Sequence, residues 1–199
     1  MPNSAAAELR AEAIRKLLHL MVSAVPVLYA RGLERRVLLP ILGVCFAFAV
    51  LVEIARQRSP AIEKAFESAV GTLLREHERY SLTGATWLLA TGLLALLVFE
   101  RRPAIAALWC ATVGDSAAAL VGRSTAYFRA KQLRSGRTLI GSISCAAASF
   151  AGVWLLAGYT PISALAVATG AAIAERLAGR LDDNAMVTVT AGALAALLT

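Results

Sequence analysis

The chain has 199 residues, 58% of them hydrophobic and 17% charged, with a formal net charge of +7 and a mean hydropathy of +0.66. That balance lies outside the range of soluble globular domains and predicts an integral membrane protein, all-α, built as a polytopic helical bundle. The twenty Lys and Arg residues are scattered between apolar runs, as interfacial anchors are, which argues against nucleic acid as a partner.

A membrane span takes roughly 17–25 residues, and the apolar runs place helices over 16–31, 37–55, 84–99, 103–122, 140–158, 161–177 and 184–198, about seven in all. The first has basic residues ahead of it, as a signal peptide would, but it runs on into further spans and reads as a retained helix. Between the second and third, Ser59 is placed to cap a helix and Pro60 to occupy its first position. Ile62, Phe66, Ala69, Val70 and Leu73 then recur at helical spacing, with Glu63, Lys64, Glu67 and Arg75 on other faces. That pattern predicts an amphipathic helix along the cytoplasmic membrane surface, serving either as a plain connector or as a gate for a lipid. The last helix is short: about 15 residues at about 1.5 Å each reach ~22 Å, less than a ~30 Å hydrocarbon core. With no internal repeat and no linker, residues 1–199 read as a single membrane domain.

Alternating crossings put fifteen of the Lys and Arg side chains on one side and five on the other. By the positive-inside rule the amino terminus is cytoplasmic. Cys45, Cys110 and Cys145 each sit in an apolar run, far apart, and read as small core hydrophobes with no disulfide or metal-ligand spacing. Trp87, Trp109 and Trp154 read as belt or packing residues.

The polar residues inside the spans collect toward that cytoplasmic side. Asp115, in "TVGDSAAALVGR", lies about 12 Å inside the end of its helix, and an ionisable group there is a functional candidate unless Ser116 or Thr112 merely solvates it. Glu53 and Glu175 lie near cytoplasmic helix ends, Asp182, Asp183 and Asn184 open the last helix, and Lys16 and His19 sit one turn apart on the first. His19 and Glu53 have bland readings as well: His19 satisfied by Glu12 or water, Glu53 snorkelling at the interface. In the basic connector, Arg137 and Thr138 between Gly136 and Gly141 offer a guanidinium, a hydroxyl and backbone N–H groups at a helix start, a setting for phosphate. The spacing is not that of a Walker loop, and the connector's charges also fit plain positive-inside anchors. Carboxylates opposite would hold Mg²⁺, which usually bridges one or two carboxylates to substrate phosphates. The two halves describe a nucleoside triphosphate site.

Five motifs in order, "RKLLH" at 15–19, "TGATW" at 83–87, "GDSAAALVGR" at 114–123, "GRTLIGSIS" at 136–144 and "ERLAGRLDDN" at 175–184, resemble the CTP-dependent polyprenol and lipid kinases. That family comprises dolichol kinase, phytol kinase and CTP-dependent diacylglycerol kinase, and is related to phosphatidate cytidylyltransferase. The resemblance implies transfer of the γ-phosphate of CTP to the hydroxyl of a membrane lipid alcohol: a polyprenol, a phytol-like isoprenoid or a diacylglycerol. It implies Asp115 and Arg137 as catalytic residues, and Lys16, His19, Gly122, Arg123, Gly136, Arg137, Thr138, Gly141, Ser142 and Asn184 about the nucleotide. Asp115, Glu175, Asp182 and Asp183 would serve Mg²⁺, and Asp115 is open between metal ligand and base. Arg137 stands where the family usually has Lys, and "STAYFRAK" follows "VGR" in place of a Gly-Phe-Gly-like turn. The compact length is nearer phytol kinase or the bacterial forms, implying a bacterial-type inner membrane. The lipid tail is expected among the small-residue helices 162–174 and 185–198, where close packing or a groove is possible. Rival readings are a cytidylyltransferase-like enzyme making a CDP-lipid and a small cation-coupled transporter.

Overall fold

The computed structural model describes residues 2–128, 138–178 and 182–199, and every regular element among them is helical. In chain order these are α1 (Pro2–Val22), α2 (Ala24–Ala30), α3 (Arg35–Arg58), α4 (Pro60–Val70), α5 (Gly84–Val98), α6 (Arg101–Trp109), α7 (Asp115–Phe128), α8 (Leu139–Leu155), α9 (Pro161–Leu177) and α10 (Asp183–Leu197). Gly136 and Arg137 lie outside the described residues. Three segments, Leu9–Ala30, Arg35–Arg58 and Arg101–Ser124, are long and apolar enough to cross a membrane, and α5, α8 and α10 are shorter apolar helices.

Two predicted helices are more complex than expected. The first breaks at Ser23, because Pro26 lacks the N–H that would bond the carbonyl of Val22 and its ring crowds that carbonyl. Ser23 N–H turns back to Leu20 O at 3.1 Å and its hydroxyl donates to the same oxygen at 2.6 Å. The other, expected over 103–122, is α6 and α7 joined through a π-helical turn, Cys110–Gly114, directly ahead of Asp115. A π turn inserts a residue and rotates the helix beyond it, and such turns are frequent at functional sites. Ser59 does occupy the cap position of α4, with extended backbone, but its side chain makes no capping bond.

The helices run back and forth between two ends. At one end, arginines cap helix carboxy-termini, where carbonyls are left over. Arg101 Nη2 donates to Tyr29 O at 2.6 Å, Arg102 Nε to Ala157 O at 3.1 Å, and Arg35 to Phe99 O. The other end gathers the carboxy-termini of α3, α7 and α9 and the amino-termini of α5, α8 and α10. Between them the core is built of small residues: Ala104 and Ala107 on α6, Ala164, Val167 and Ala171 on α9, and Val187, Ala191 and Ala195 on α10 are all buried. Close approach of backbones is how apolar helices associate without a hydrophobic drive between them.

Glycines set the closest contacts. A Cβ on Gly141 would lie 2.8 Å from the carbonyl oxygen of Ala118 and 3.3 Å from the Cα of Gly122, whereas one on Gly43 of α3 would meet nothing within 4 Å. Gly141→Ala is therefore expected to force α7 from α8 and cost about 1–3 kcal/mol. Gly43→Ala should be neutral or stabilise by up to about 1 kcal/mol. Thermal unfolding of both variants in detergent checks the contrast.

Candidate functional site

The site starts from one polar stripe on an apolar helix. Glu12, Lys16 and His19 fall at positions i, i+4 and i+7 of α1, so they share a face. That face turns inward against α7: Lys16 Nζ pairs with Asp115 Oδ2, both side chains 3% exposed, and His19 Nδ1 stands 3.9 Å from the same oxygen. Thr112 and Ser116 do not solvate Asp115, because each hydroxyl is spent on its own helix. Thr112 Oγ1 donates to Leu108 O at 2.7 Å and Ser116 Oγ to Thr112 O at 2.5 Å. Burying two charges costs several kcal/mol per ion, which the pair offsets only by facing one another.

Glu12 does not satisfy His19. Its carboxylate, on a side chain 2% exposed, is occupied by guanidiniums from three segments: Arg15 of α1, Arg123 Nη2 of α7 at 3.2 Å and Arg75 Nη2 at 3.8 Å. Burial works against the charge on Arg75, but Glu12, then Asp183, Glu78 and Asp115, outweigh it and hold this guanidinium above the usual arginine range. Arg15 Nη1 also donates to Leu73 O at 2.7 Å, tying the connector to α1.

A second buried network shapes that connector. Glu53 accepts from Arg56 Nε at 2.6 Å, from Thr83 N–H at 2.9 Å and from Thr86 Oγ1 at 3.1 Å. Arg56 in turn donates to the carbonyls of Glu78 at 2.8 Å, Arg79 at 3.1 Å and Ser81 at 2.6 Å. Glu78 accepts from the N–H groups of Arg75 at 2.9 Å and Gly84 at 3.0 Å. Glu53 is thus no snorkelling acid: it and Arg56 are 3% and 4% exposed and fold residues 75–84 onto the end of α3.

Between these two networks lies a cavity of about 450 Å³, within the range of small-molecule sites. Leu18 of α1, Phe48 and Val52 of α3, Phe66 of α4 and Leu89 of α5 are among its apolar lining, and Lys16, His19, Arg75, Asp183 and Asn184 contribute its polar end. Leu18 and Phe48 are 51% and 68% exposed, so the apolar part opens sideways between α1 and α3. The small-residue stretches 162–174 and 185–198, where the lipid tail was expected, do not line this cavity. The small residues of α9 and α10 are consumed in packing those helices together, with Ala168 and Ala191 fully buried.

The remaining predicted residues divide between scaffold and site. Gly122 and Gly141 meet at the α7–α8 crossing. Thr138 caps α8, its Oγ1 accepting from Gly141 N–H at 3.0 Å, and Ser142 Oγ lies 3.5 Å from Thr138 O. Asp182 caps α10 through Asn184 N–H at 2.9 Å. Its carboxyl is pushed up by burial and by Asp183, against the pull of Asn184 and Arg75. Asn184 Nδ2 reaches Gly84 O at 3.4 Å, while its Oδ1 is buried with no hydrogen-bond partner among the described residues. Glu175 is buried on α9, one turn beyond Ala172, which packs with Ala118 and Cys145. Of the carboxylates proposed for Mg²⁺, Asp115 takes Lys16, Asp182 caps a helix, Asp183 lies within electrostatic reach of Arg75 and Glu175 is buried on α9. Among the described residues no three His, Cys, Asp or Glu side chains come together as a cluster able to hold a metal ion, whereas Mg²⁺ at a nucleotide needs one or two carboxylates beside the phosphates. Trp109 packs against Gly152 and donates to Ala148 O at 2.9 Å, as a packing residue does.

Glu12, Arg15 and Arg75 are site residues that the sequence pattern did not single out. Glu12 was visible as a carboxylate one turn before Lys16 on an otherwise apolar face, whereas nothing near Arg75 distinguished it from a surface anchor.

The chain thus combines helices long and apolar enough to cross a membrane with an apolar cavity that opens at its side and carries charged groups at its other end. Two curated relatives indicate its class. The chain is 26% identical over 149 residues to CTP-dependent diacylglycerol kinase 1 of Saccharomyces cerevisiae, covering 73% of this chain and 50% of that protein. It is 28% identical over 144 residues to CTP-dependent diacylglycerol kinase 1 of Eremothecium gossypii, covering 68% and 45%. The chain spans about half the length of these relatives, and the similarity supports the CTP-dependent lipid kinase family. No protein-family model and no solved structure matches it.

The Lys16–Asp115 pair yields a stability test. Lys16→Met, which leaves Asp115 buried and unpaired, should cost about 3–5 kcal/mol, while the K16M/D115L double variant should recover most of that loss. Unfolding of the single and double variants in detergent measures the cycle; a double variant no more stable than K16M would show that the pair is not coupled.

Proposed function

We propose that this chain is an integral membrane CTP-dependent lipid kinase that transfers the γ-phosphate of CTP to the hydroxyl of a lipid alcohol, either a diacylglycerol or an isoprenoid alcohol. The observation that carries the reading is the cavity, whose apolar wall opens sideways and whose far end holds Lys16, His19, Arg75, Asp183 and Asn184. An acyl or isoprenoid tail fits the first part and a hydroxyl meeting a phosphate the second. The names of the two relatives favour diacylglycerol as the first acceptor to try. The reading has about seven crossings, from the apolar runs, and the excess of Lys and Arg in the connectors at the site's end supports placing the amino terminus and the site on the cytoplasmic side.

In the reaction the lipid hydroxyl oxygen attacks the γ-phosphorus, the bond to the β–γ bridging oxygen breaks and CDP departs. Such transfers have a loose transition state, so the protein's share is positioning and charge stabilisation. Lys16 lines the cavity with its ammonium fixed by Asp115, and so offers a positive charge that needs no reorganisation when negative charge moves to the leaving oxygen. His19 also lines the cavity, where its imidazole is the group proposed to take the hydroxyl proton, with Nδ1 turned toward Asp115. Asp115 is a positioning residue in this scheme, since Lys16 and His19 stand between it and the cavity. A divalent cation that accompanies the nucleotide would draw its ligands largely from the phosphates.

The test uses the purified full chain in detergent with γ-labelled CTP or ATP and a panel of lipid alcohols. Label should pass from CTP to lipid with release of CDP; pyrophosphate and a CDP-lipid would instead establish the cytidylyltransferase reading. The K16M/D115L variant should be folded and inactive. Ala49→Trp, which fills the apolar part of the cavity, should raise KM for the lipid at least tenfold and leave KM for CTP unchanged. Equal effects on both substrates would remove the cavity as the acceptor site.

A further inference from the structure

The charges around Glu12 exceed what the pairing at that carboxylate needs. Three guanidiniums, those of Arg15, Arg75 and Arg123, share the one carboxylate of Glu12 beside the neutral Lys16–Asp115 pair, with Asp183 and Glu78 also within electrostatic reach of Arg75. Glu12 is buried beneath the three guanidiniums, whose side chains keep 19%, 29% and 44% of their surface exposed. Arg15 Nε is buried with no hydrogen-bond partner among the described residues. Planar forks converging from three segments, with donors to spare, suit a ligand carrying several closely spaced anionic oxygens.

Arg75 differs from the other two in what it is attached to. Its neighbours Leu73 and Leu74 line the cavity, Arg15 holds the carbonyl of Leu73 at 2.7 Å, and Glu78 holds the N–H of Arg75 at 2.9 Å. One short stretch thus presents leucines to the apolar space and a guanidinium to the Glu12 cluster. The segment is fixed through its backbone, so the Arg75 side chain is not needed to hold it there.

We propose that Arg75 is a donor-binding residue which, with Arg15 and Arg123 gathered on Glu12, grips the polyphosphate of the nucleotide across the wall of the acceptor cavity. The kinase reading supplies only the identity of the donor; the polyanion site stands on the geometry of the cluster. Arg75 thereby joins the site from the cytoplasmic connector, outside the membrane motifs on which the family resemblance rests.

The experiment is calorimetric titration of the full chain in detergent micelles with inorganic tripolyphosphate, without lipid, so that no turnover is involved. Wild type should bind tripolyphosphate, release it to CTP and bind it less tightly as salt rises. Arg75→Ala should weaken binding about tenfold, the loss of about 1.4 kcal/mol, with Arg75→Lys in between. Arg58→Ala, at an exposed position at the end of α3, should behave as wild type. Should R75A unfold, R75K and R123A carry the same comparison. Unchanged binding in the Arg75 variants, or an equal loss in R58A, overturns the proposal. Binding that depends on Arg75 without phosphate transfer to any lipid alcohol would leave the polyanion site standing and remove the kinase reading. Transfer that proceeds with R75A binding as wild type would do the reverse.

Discussion

The buried pair of Lys16 and Asp115 is the constraint on which the rest of this site depends. It joins the first helix to the helix beyond the π turn, and neither charge is tolerable at that depth without the other. Once the pair is made, the rest of the polar face of α1 has its orientation: His19 one turn beyond toward the cavity, Glu12 one turn before toward the arginines of α7 and the connector. The π turn ahead of Asp115 and the glycine contacts between α7 and α8 bring the acid's helix close enough for this to happen.

A second ion pair, Glu53 with Arg56, does for the connector what the first does for the helices. An unstructured link between α4 and α5 would leave backbone groups without partners. Instead Arg56 satisfies three carbonyls and Glu53 and Glu78 satisfy three N–H groups, so residues 75–84 form a fixed wall beside the cavity. The apolar face of α4 then rests over the same space, with Phe66 stacked 5.2 Å from the guanidinium of Arg56. The amphipathic segment is a wall of the cavity as well as a surface helix.

Hydrophobic runs made the helices readable, because a residue with no polar face to present has few alternatives. Five of the seven predicted helices match within a few residues at each end; the first starts earlier and is split ahead of Pro26, and the one expected over 103–122 is interrupted by the π turn and runs on to Phe128. The π turn was not readable, since its residues, Cys110 to Gly114, are as apolar as an ordinary helix turn. Lys16, His19, Asp183 and Asn184 were identified from their placement at one end of the spans, and the structure brings them to one cavity. Small residues serve close packing and open grooves equally well in a sequence; only the partner helix decides, and Ala168 of α9 and Ala191 of α10 are buried in packing. Arg75 was hidden for a related reason: among scattered cations nothing local separates an anchor from a ligand until a buried carboxylate is seen beneath it.

The proposed mechanism requires above all that a lipid tail lie between α1, α3, α4 and α5 with its hydroxyl at Lys16 and His19. Photolabelling with a diacylglycerol carrying a diazirine in its chain, with mass spectrometry of the labelled peptides, examines this directly. Label concentrated on the α3 and α4 peptides containing Phe48, Val52 and Phe66, and displaced by unlabelled lipid, is the predicted result. Label that instead falls on α9 and α10, or spreads over every lipid-facing helix without competition, would contradict it.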